Sequence, residues 1–449
     1  MVYDVLQTDS YVMHLTALAK RHQIKTSEDI LNQQGAVIIG KGHLLDESVT
    51  RRIVQHKLQK PLELSVSFED GLDGETLLDL YHVMLSKHPA YAALHKKWSL
   101  EKYLQHACLL YGQYPLLIQK ITVLKQQLPE IFIQGLYVAY GAMVLAQRMK
   151  KDETCVVNAF LAGLCHDIGM LHIAPDVIHK KHEYNPEDWR AMQSHTVIAQ
   201  CILQHVAGLH PDIIQAVVEH HERCDGSGYP LGKKENTLSQ LGQIVALADT
   251  CYALYLRELK PRGLGPEALL PVLQFYPDVH GAQVFESAMR ILKQLNWPRE
   301  RVYANEHIPG LVSGLLLRNE AIQHDYFVLY GVVTAVRHEK GFGLLNILSA
   351  MGERLNYALI SSGLVQSEHC QWLVQVCGQK LEQDYPEIEQ VDLMYAEIEW
   401  QLKQMQRMTY VLWKKHKFPD QHLHDLIQRG LLQIDHYHKL HATKPSMVS

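Results

Sequence analysis

The sequence predicts a mainly α-helical protein in three segments. Between residues 111 and 300, and again from 301 to 449, apolar residues recur at intervals of three and four, the period of a helix with one buried face. Between residues 1 and 110 a β-like run and glycine-rich turns interrupt this pattern. Because the 449 residues exceed the usual size of one domain, about 100–200 residues, we expect each segment to form a domain.

The N-terminal segment, residues 1–110, is predicted to be a small mixed α/β domain with a regulatory or sensory role. In "GAVIIGKGHLLDESVTRRIVQH" (35–56) a β-like run and a turn lead into a helix capped near Asp46. In "SFEDGLDGETLLDLYHVM" (67–84) acidic residues and glycine mark a loop before another amphipathic helix. Nothing in this segment has the spacing of a catalytic motif.

The middle segment, residues 111–300, is predicted to be an all-α bundle, and the C-terminal segment, residues 301–449, to be helical too. A seam of apolar residues in the latter steps by three or four through Val391, Met394, Ile398, Leu402, Met405, Thr409 and Leu412. Such a seam is typical of helices that pack within a domain. The alternative is a homodimer in which these C-terminal helices pair, with a role in dimerisation or regulation.

Composition narrows the class of protein further. Lys and Arg total 43 against 48 Asp and Glu, a formal charge of −5, so no global charge indicates a nucleic-acid polymer or an anionic membrane as partner. The start "MVYDVLQTDS" has no basic region followed by an apolar stretch, and the longest nearly apolar run, residues 326–336, is shorter than the ~18 residues that span a bilayer. We expect a cytoplasmic protein without membrane insertion. The eight cysteines contain no CxxC pair, which favours buried reduced thiols.

Residues of the metal-ligand type are concentrated in the middle segment, in "HDIGM" (166–170), in "HHERCDGSGYP" (220–230) and around them. Imidazole and carboxylate together suit a first-row metal such as iron, manganese or zinc, and a shared carboxylate can bridge two ions. Because the chain has 28 histidines, a single histidine is weak evidence for a metal site. The alternative is a histidine buried in the core with its hydrogen bonds made. The set favours a metal site because six such groups lie in one helical segment: His166, Asp167, His195, His220, His221 and Asp249.

These six residues have the order and separations of the HD phosphohydrolase superfamily, and "HHERCDGSGYP" resembles the signature of its HD-GYP subfamily. The resemblance covers roughly residues 115–300. It implies an all-α bundle that holds two divalent metal ions, or three, with iron or manganese the expected metals. It also implies a bacterial source and hydrolysis of the messenger cyclic di-GMP to pGpG or GMP through a metal-bridging hydroxide.

Carried over residue by residue, the resemblance makes His166, Asp167 and Asp249 ligands of one metal, with Asp167 as the bridge. His195, His220 and His221 match the ligands of the neighbouring metal. An earlier helix in the family supplies a Glu and, four residues later, a His. Here Glu130 occupies the first position, but Gln134 stands in place of the His and is a weaker, neutral ligand.

A second departure is Met170, which stands where the family has a lysine that contacts the phosphate being cleaved. A methionine neither donates a hydrogen bond nor neutralises charge. Losing a positioned cation at a developing phosphorane charge costs on the order of 10²–10³ in rate, by analogy with the loss of one oxyanion donor.

The resemblance also implies a set of substrate-binding residues. Arg257 lies where the family places basic residues that contact a second phosphate or a guanine, with Lys260 or Arg262 beside it; solvated surface charges are the alternative reading. His172 is close enough in sequence to His166 to offer a substitute ligand or proton donor. The loop contributes the remaining substrate-binding candidates: Asp225, Gly228, Tyr229 and Pro230.

Two functional hypotheses follow. One is an active metal-dependent cyclic di-GMP phosphodiesterase, favoured by the six intact ligands and the complete GYP loop. The other is a degenerate module that binds nucleotide or a signalling protein partner with little or no hydrolysis, favoured by Gln134 and Met170.

Overall fold

The structure is a computed structural model that describes residues 9–20, 22–68, 70–180, 185–277, 279–294, 301–337, 343–415 and 421–442. Contacts within the chain divide it into two compact units. Unit 1 comprises Met1–Glu222, Tyr229–Leu231 and Thr237–Tyr252, and unit 2 comprises Arg223–Gly228, Gly232–Asn236 and Ala253–Ser449. The mainly α-helical class with a small N-terminal α/β region is confirmed.

The N-terminal part of unit 1 combines short strands with helices. Strand β1 pairs antiparallel with β4, placing Ile24 opposite Phe68, and β2 pairs antiparallel with β3, placing Ile30 opposite Ile39. The elements are α1 (Asp9–Ala19), β1 (Ile24–Thr26), β2 (Ile30–Leu31), β3 (Val37–Ile39), α2 (Glu47–Val54), β4 (Val66–Phe68), α3 (Gly74–Ser86), α4 (Pro89–Lys97) and α5 (Glu101–Tyr111). The predicted cap of α2 is confirmed, since the Asp46 carboxylate accepts a hydrogen bond from the Val49 amide at 2.8 Å.

The remainder of unit 1 is a helical bundle. Its helices are α6 (Pro115–Gln127), α7 (Pro129–Arg148), α8 (Glu153–Cys165), α9 (Pro175–Ile178), α10 (Pro186–Gln193), α11 (His195–Leu203), α12 (Pro211–Glu219) and α13 (Gln240–Leu254). Helices α7 and α8 approach closely because Gly163 has no side chain: a Cβ there would lie 2.7 Å from the Cα of Ala139. This close packing buries nearly all of α8 from Val156 onward.

Two stretches of this bundle are long and apolar enough to cross a membrane, Pro129–Arg148 and Glu153–His172. Within them 56% and 83% of the apolar window is buried inside the protein. Core helices of soluble proteins meet the same criterion, so these stretches support a membrane span only weakly, and the absence of membrane insertion stays a prediction.

A buried polar cluster joins the N-terminal elements of unit 1 to its bundle. The ammonium of Lys120 on α6 is fully buried and lies 3.0 Å from Oε1 of Glu63, 3.0 Å from Nε2 of His172 and 3.3 Å from the ring centroid of Tyr11. The Tyr11 and His172 rings stack, with centroids 4.8 Å apart. Burial lowers the pKa of Lys120 to about 8, although the Glu63 carboxylate opposes this. His172 is therefore a member of this cluster, which ties the segment after "HDIGM" to α1 and α6.

Acid is expected to destabilise the fold through His172. Burial, together with the charges of Lys120 and His14, holds the pKa of His172 well below its ordinary value. Because the unfolded chain binds a proton there below about pH 6.5 and the folded chain does not, the free energy of unfolding falls below that pH by up to about 1.4 kcal/mol per pH unit. Urea unfolding at pH 7.5 and 5.5 measures this. His172→Gln is expected to reduce the difference, whereas His205→Gln, an exposed control, retains it. If the free energy of unfolding depends on pH equally in both variants, His172 is not the group responsible.

Unit 2 is built from long helices. After a π-helical turn (Tyr255–Leu259) and a 3₁₀ turn (Lys260–Arg262) come α14 (Leu270–Leu273), α15 (Ala282–Gln294), α16 (Ile308–Val336), α17 (Gly343–Ser362), α18 (Ser367–Gly378), α19 (Tyr385–Lys415) and α20 (Gln421–Ala442). Helix α19 packs on α16, α17 and α20, and its predicted seam is largely buried there. The seam thus packs within the chain, and dimerisation through these helices stays a prediction.

The two units do not follow the predicted bounds of 1–110, 111–300 and 301–449. The Lys120 cluster and the neighbouring α6 contacts join the first segment to the bundle, and residues from Ala253 onward pack with the C-terminal helices. Arg257, for example, pairs with Glu397 of α19. The three-domain division stays a prediction about independently folding parts.

Candidate metal centre

Six predicted ligands lie at helix ends or on one helix of unit 1. His166 and Asp167 end α8, His195 begins α11, His220 and His221 follow α12, and Asp249 lies on α13. Helix ends suit adjacent pairs such as His166 and Asp167, since residues one apart project about 100° apart on a continuous helix. The turn of the backbone at the end of α8 therefore lets both side chains face one region.

The carboxylate of Asp167 is the centre of the arrangement. Its Oδ2 lies 3.2 Å from Nε2 of His166, and its Oδ1 lies 3.2 Å from Nε2 of His195 and 3.8 Å from Nε2 of His220. Among the described residues, Asp167, His195, His220 and His221 each offer a ligand atom within 4.8 Å of the others. Both oxygens of one carboxylate thus face imidazole nitrogens, which is the arrangement of a shared ligand.

Asp249 forms the other side of the cluster. Its Oδ1 lies 3.7 Å from Nε2 of His166, and its Oδ2 lies 4.0 Å from Nδ1 of His221. The Gln134 side chain on α7 donates a hydrogen bond from Nε2 to the same Oδ1 at 2.7 Å. With the amide oriented in this way, Gln134 presents its nitrogen, and not its oxygen, to the carboxylate of Asp249.

Backbone carbonyls set the protonation of three imidazoles. The Nδ1 atoms of His166, His195 and His220 lie 2.7, 2.5 and 2.6 Å from carbonyl oxygens three residues earlier. A carbonyl oxygen only accepts, so each Nδ1 carries a proton, and whenever the ring is neutral its lone pair lies on Nε2. The Nε2 atoms of His195 and His220 then face each other at 3.4 Å, a contact that an electrophilic cation would stabilise.

The site fits a cation on two further observations. Nε2 of His166 and Oδ1 of Asp167 are buried and have no hydrogen-bond partner among the described residues. Burial opposes protonation of His166, but the carboxylates of Asp167 and Asp249 outweigh it and raise its pKa to about 9. The carboxylates therefore favour positive charge at the point where the ring nitrogens converge, and a bound divalent ion would supply that charge in place of the proton on Nε2 of His166.

Gly169 of "HDIGM" permits this convergence. A Cβ at Gly169 would lie 2.0 Å from the carbonyl oxygen of His195 and 2.9 Å from the amide nitrogen of Ala199. The 3₁₀ turn Ile168–His172 therefore contacts the start of α11 backbone to backbone, and this contact brings Asp167 to His195.

Four further predicted site residues lie in unit 1 and differ in their exposure and contacts. Glu130 is exposed in the first turn of α7, and Met170 is half-buried in the 3₁₀ turn. The Tyr229 ring lies 4.7 Å from the His221 ring, and the Tyr229 amide donates to the His221 carbonyl at 3.1 Å. Pro230 follows it and is half-buried. The structure thus brings Tyr229 beside the cluster.

Other predicted substrate-binding residues lie in unit 2. Asp225 and the half-buried Gly228 belong to the signature loop, defined here as residues 223–236, and Lys260 is exposed. The Arg257 guanidinium pairs with Glu258 and Glu397 and stacks 3.8 Å from the ring centroid of Trp400.

Arg354 was not anticipated from the sequence. Its Nη1 donates to Oδ2 of Asp225 at 2.9 Å, although 129 residues separate the two. The local sequence of α17 does not indicate this contact, because the partner lies far away in the chain.

Comparison with a family model identifies the same part of the chain. Residues 114–273 match the family model described as "HD domain". The chain is 37% identical over 115 residues to the 3'3'-cGAMP-specific phosphodiesterase 1 of Vibrio cholerae, covering 24% of this chain and 25% of that protein. It is 31% identical over 174 residues to the cyclic di-GMP phosphodiesterase of Thermotoga maritima, covering 37% and 46%.

A solved HDG"Y"P protein from Bdellovibrio bacteriovorus is 14% identical, with a TM-score of 0.34, and the match covers 62% of this chain and 98% of that one. The chain spans less than half the length of the two phosphodiesterases above. The matched HD domain contains His166 and Asp167, the second histidine pair and the complete "DGSGYP" loop. Residues 114–273 of this chain are therefore similar to HD domains, and the ligand-type residues described above lie within the matched part.

Proposed function

We propose that this protein is a metal-dependent phosphodiesterase that hydrolyses cyclic di-GMP to pGpG or GMP. The observation that carries the proposal is the convergence of the Nε2 atoms of His166, His195 and His220 on the carboxylate of Asp167. The names of the related proteins support the cyclic dinucleotide as substrate class.

Two divalent ions, iron or manganese, would be held by two overlapping groups. His166, Asp167 and Asp249 form one, and His195, His220 and His221 with the shared Asp167 form the other. Bound divalent ions supply an acidified water and neutralise charge on a phosphate. A protein nucleophile is therefore not needed.

The chain's own groups orient the ligands and the nucleotide. The three Nδ1 hydrogen bonds to backbone carbonyls fix the imidazoles with Nε2 inward. The Tyr229 ring beside His221 offers an aromatic face and a hydroxyl to a base or phosphate. Met170 donates nothing, so neutralisation of the phosphate rests on the other groups.

The test is anaerobic purification, metal analysis and incubation with cyclic di-GMP, with 3'3'-cGAMP as a parallel substrate. We expect two divalent ions per chain and conversion of cyclic di-GMP to pGpG or GMP, abolished by chelation. Metal-loaded protein that binds cyclic di-GMP but forms no product would contradict hydrolysis.

Two observations favour a second candidate, a degenerate module that binds nucleotide or a protein partner. Gln134 contacts Asp249 through its amide nitrogen, and Met170 leaves no cation in the 3₁₀ turn after Asp167. A module of this kind would retain the pocket and respond to binding with little turnover. We place both candidates in the cytoplasm, in a signalling role.

The change Met170→Lys with Gln134→His separates the two candidates. We expect the parent to hydrolyse slowly and the double variant to be faster by on the order of 10²-fold, since a positioned cation then faces the phosphate. Product formation per bound metal is the measurement. Met13→Lys, at a methionine that is 61% exposed, controls for the added charge. Activity that appears only in the double variant identifies the parent as the degenerate module.

A further inference from the structure

Glu219, the last residue of helix α12, is buried and joined to the start of helix α13. It is 2% exposed. Its Oε2 accepts hydrogen bonds from the Ser239 amide at 2.9 Å and from the Ser239 hydroxyl at 2.6 Å, and its Oε1 accepts one from Nε2 of Gln215 at 2.6 Å. Within unit 1, one buried carboxylate therefore links the end of α12 to the residue before α13.

Ser239 extends this link into the first turn of α13. Its hydroxyl oxygen accepts a hydrogen bond from the Gly242 amide at 3.0 Å, and its carbonyl oxygen accepts one from the Gln243 amide at 3.1 Å. These are the contacts of an N-cap residue, so Ser239 fixes where α13 begins. Gly242 also packs directly on the carboxylate, since a Cβ there would lie 2.7 Å from Oε2 of Glu219.

The two helices joined in this way carry ligand-type residues of different groups. His220 and His221 directly follow Glu219, whereas Asp249 lies further along α13. The two histidines belong to one proposed metal group, and Asp249 belongs to the other with His166. The Asp249 carboxylate lies 4.0 Å from Nδ1 of His221 and 3.7 Å from Nε2 of His166. The position of α13 against the end of α12 therefore sets the distance between the ligands of the two groups.

We propose that Glu219 is a positioning residue, which holds α13 against the end of α12 and thereby fixes Asp249 relative to the histidine pair. The inference rests on the proposed function for its effect on metal ions, whereas the link between the two helices rests on the hydrogen bonds alone. Loss of a partner outside the ligand set costs about 10–100-fold in metal affinity. We expect a loss of this size for the ion that Asp249 would bind.

Hydrogen exchange of the metal-free, full-length protein tests the link without any ion. Glu219→Gln keeps the size of the side chain, but its amide has one acceptor oxygen and turns N–H donors toward Ser239 or Gln215. Because a buried hydrogen bond is lost, we expect the amides of residues 239–243 to exchange about tenfold faster, while residues 156–165 exchange as in the parent.

Ser239→Ala provides a second variant for the same contact. It removes the hydroxyl that contacts Glu219 and Gly242 but keeps the Ser239 amide, so we expect a smaller acceleration of the same amides. The double variant should exchange more slowly than the sum of the two effects predicts, because both changes act on one interaction.

Manganese binding gives the second readout. We expect the parent to bind two Mn²⁺ ions with the EPR signal of a coupled pair. In Glu219→Gln the ion of the group with Asp249 should bind about 10–100-fold more weakly, so at limiting manganese the signal becomes that of isolated Mn²⁺. Tyr111→Phe is the matched control, because it removes another buried hydrogen bond of unit 1, from the Tyr111 hydroxyl to the Leu72 carbonyl at 2.8 Å. It should lower Tm and leave both the manganese affinity and the EPR signal as in the parent.

Three results would overturn the inference. One is exchange of residues 239–243 in Glu219→Gln equal to that in Tyr111→Phe. Another is acceleration that extends equally through residues 156–165, which indicates a general loss of stability. The last is binding of two ions by Glu219→Gln with the affinities of the parent. A parent that binds no metal would instead contradict the proposed function and with it the effect on the ions, while hydrogen exchange still decides the link between α12 and α13.

Discussion

Asp167→Asn is expected to abolish metal binding and with it any hydrolysis. The substitution keeps the shape but removes the charge that faces three imidazoles, and an amide nitrogen would be turned toward at least one Nε2 atom. Loss of an outer-shell partner alone costs about 10–100-fold in metal affinity, so the loss of a shared ligand should cost about 100-fold or more. Metal titration followed by calorimetry, and metal analysis after gel filtration, measure this.

Asp176→Asn is the matched control, since Asp176 is exposed on the short helix α9. It should bind metal as the parent does. Retention of both ions by Asp167→Asn would show that the carboxylate is not a shared ligand and would refute the arrangement of two overlapping groups.

Among changes that add one methyl group to the bundle, Gly169→Ala is expected to lower stability and metal binding the most. The added Cβ would lie 2.0 Å from the His195 carbonyl oxygen, and backbone cannot rotate away as a flexible side chain can. Overpacking of this kind costs about 1–3 kcal/mol, occasionally more, and moves the start of α11 away from Asp167. Thermal unfolding and metal stoichiometry together should show a lower Tm and weaker metal binding.

Gly314→Ala provides the comparison, because a Cβ at this position on α16 meets nothing within 4 Å. Alanine favours helix over glycine by roughly 1 kcal/mol, so this variant should be neutral or slightly more stable. Equal Tm and metal content in the two variants would show that the contact between the 3₁₀ turn and α11 does not hold the site together.

Much of the fold follows from patterns that are local in the chain. The three-four apolar period identified the helices, and the acceptor at Asp46 identified the start of α2. The sequence also indicated the six ligand-type residues, because adjacent polar pairs such as 166–167 and 220–221 are unusual in a buried helix. Their roles as ligands remain a prediction that metal analysis tests.

Other features depend on contacts between distant residues. Lys120 and Glu63 look like ordinary surface residues in the sequence, yet they form a buried ion pair beneath Tyr11. The predicted substrate-binding role of Arg257 stays a prediction, and in unit 2 its guanidinium pairs with Glu397, 140 residues later. The partner of such a charged side chain depends on helix packing, which the local sequence does not specify.

The sequence by itself determined the helical class, the ligand-type residues and the two departures at Gln134 and Met170, because each depends on residue identity and local spacing. Only the tertiary structure decided that Asp167 lies between His166 and His195, that Gln134 donates to Asp249, and that Arg354 holds Asp225. The physical reason is that such contacts require helices far apart in the chain to meet at atomic distance, which close packing determines and local sequence does not.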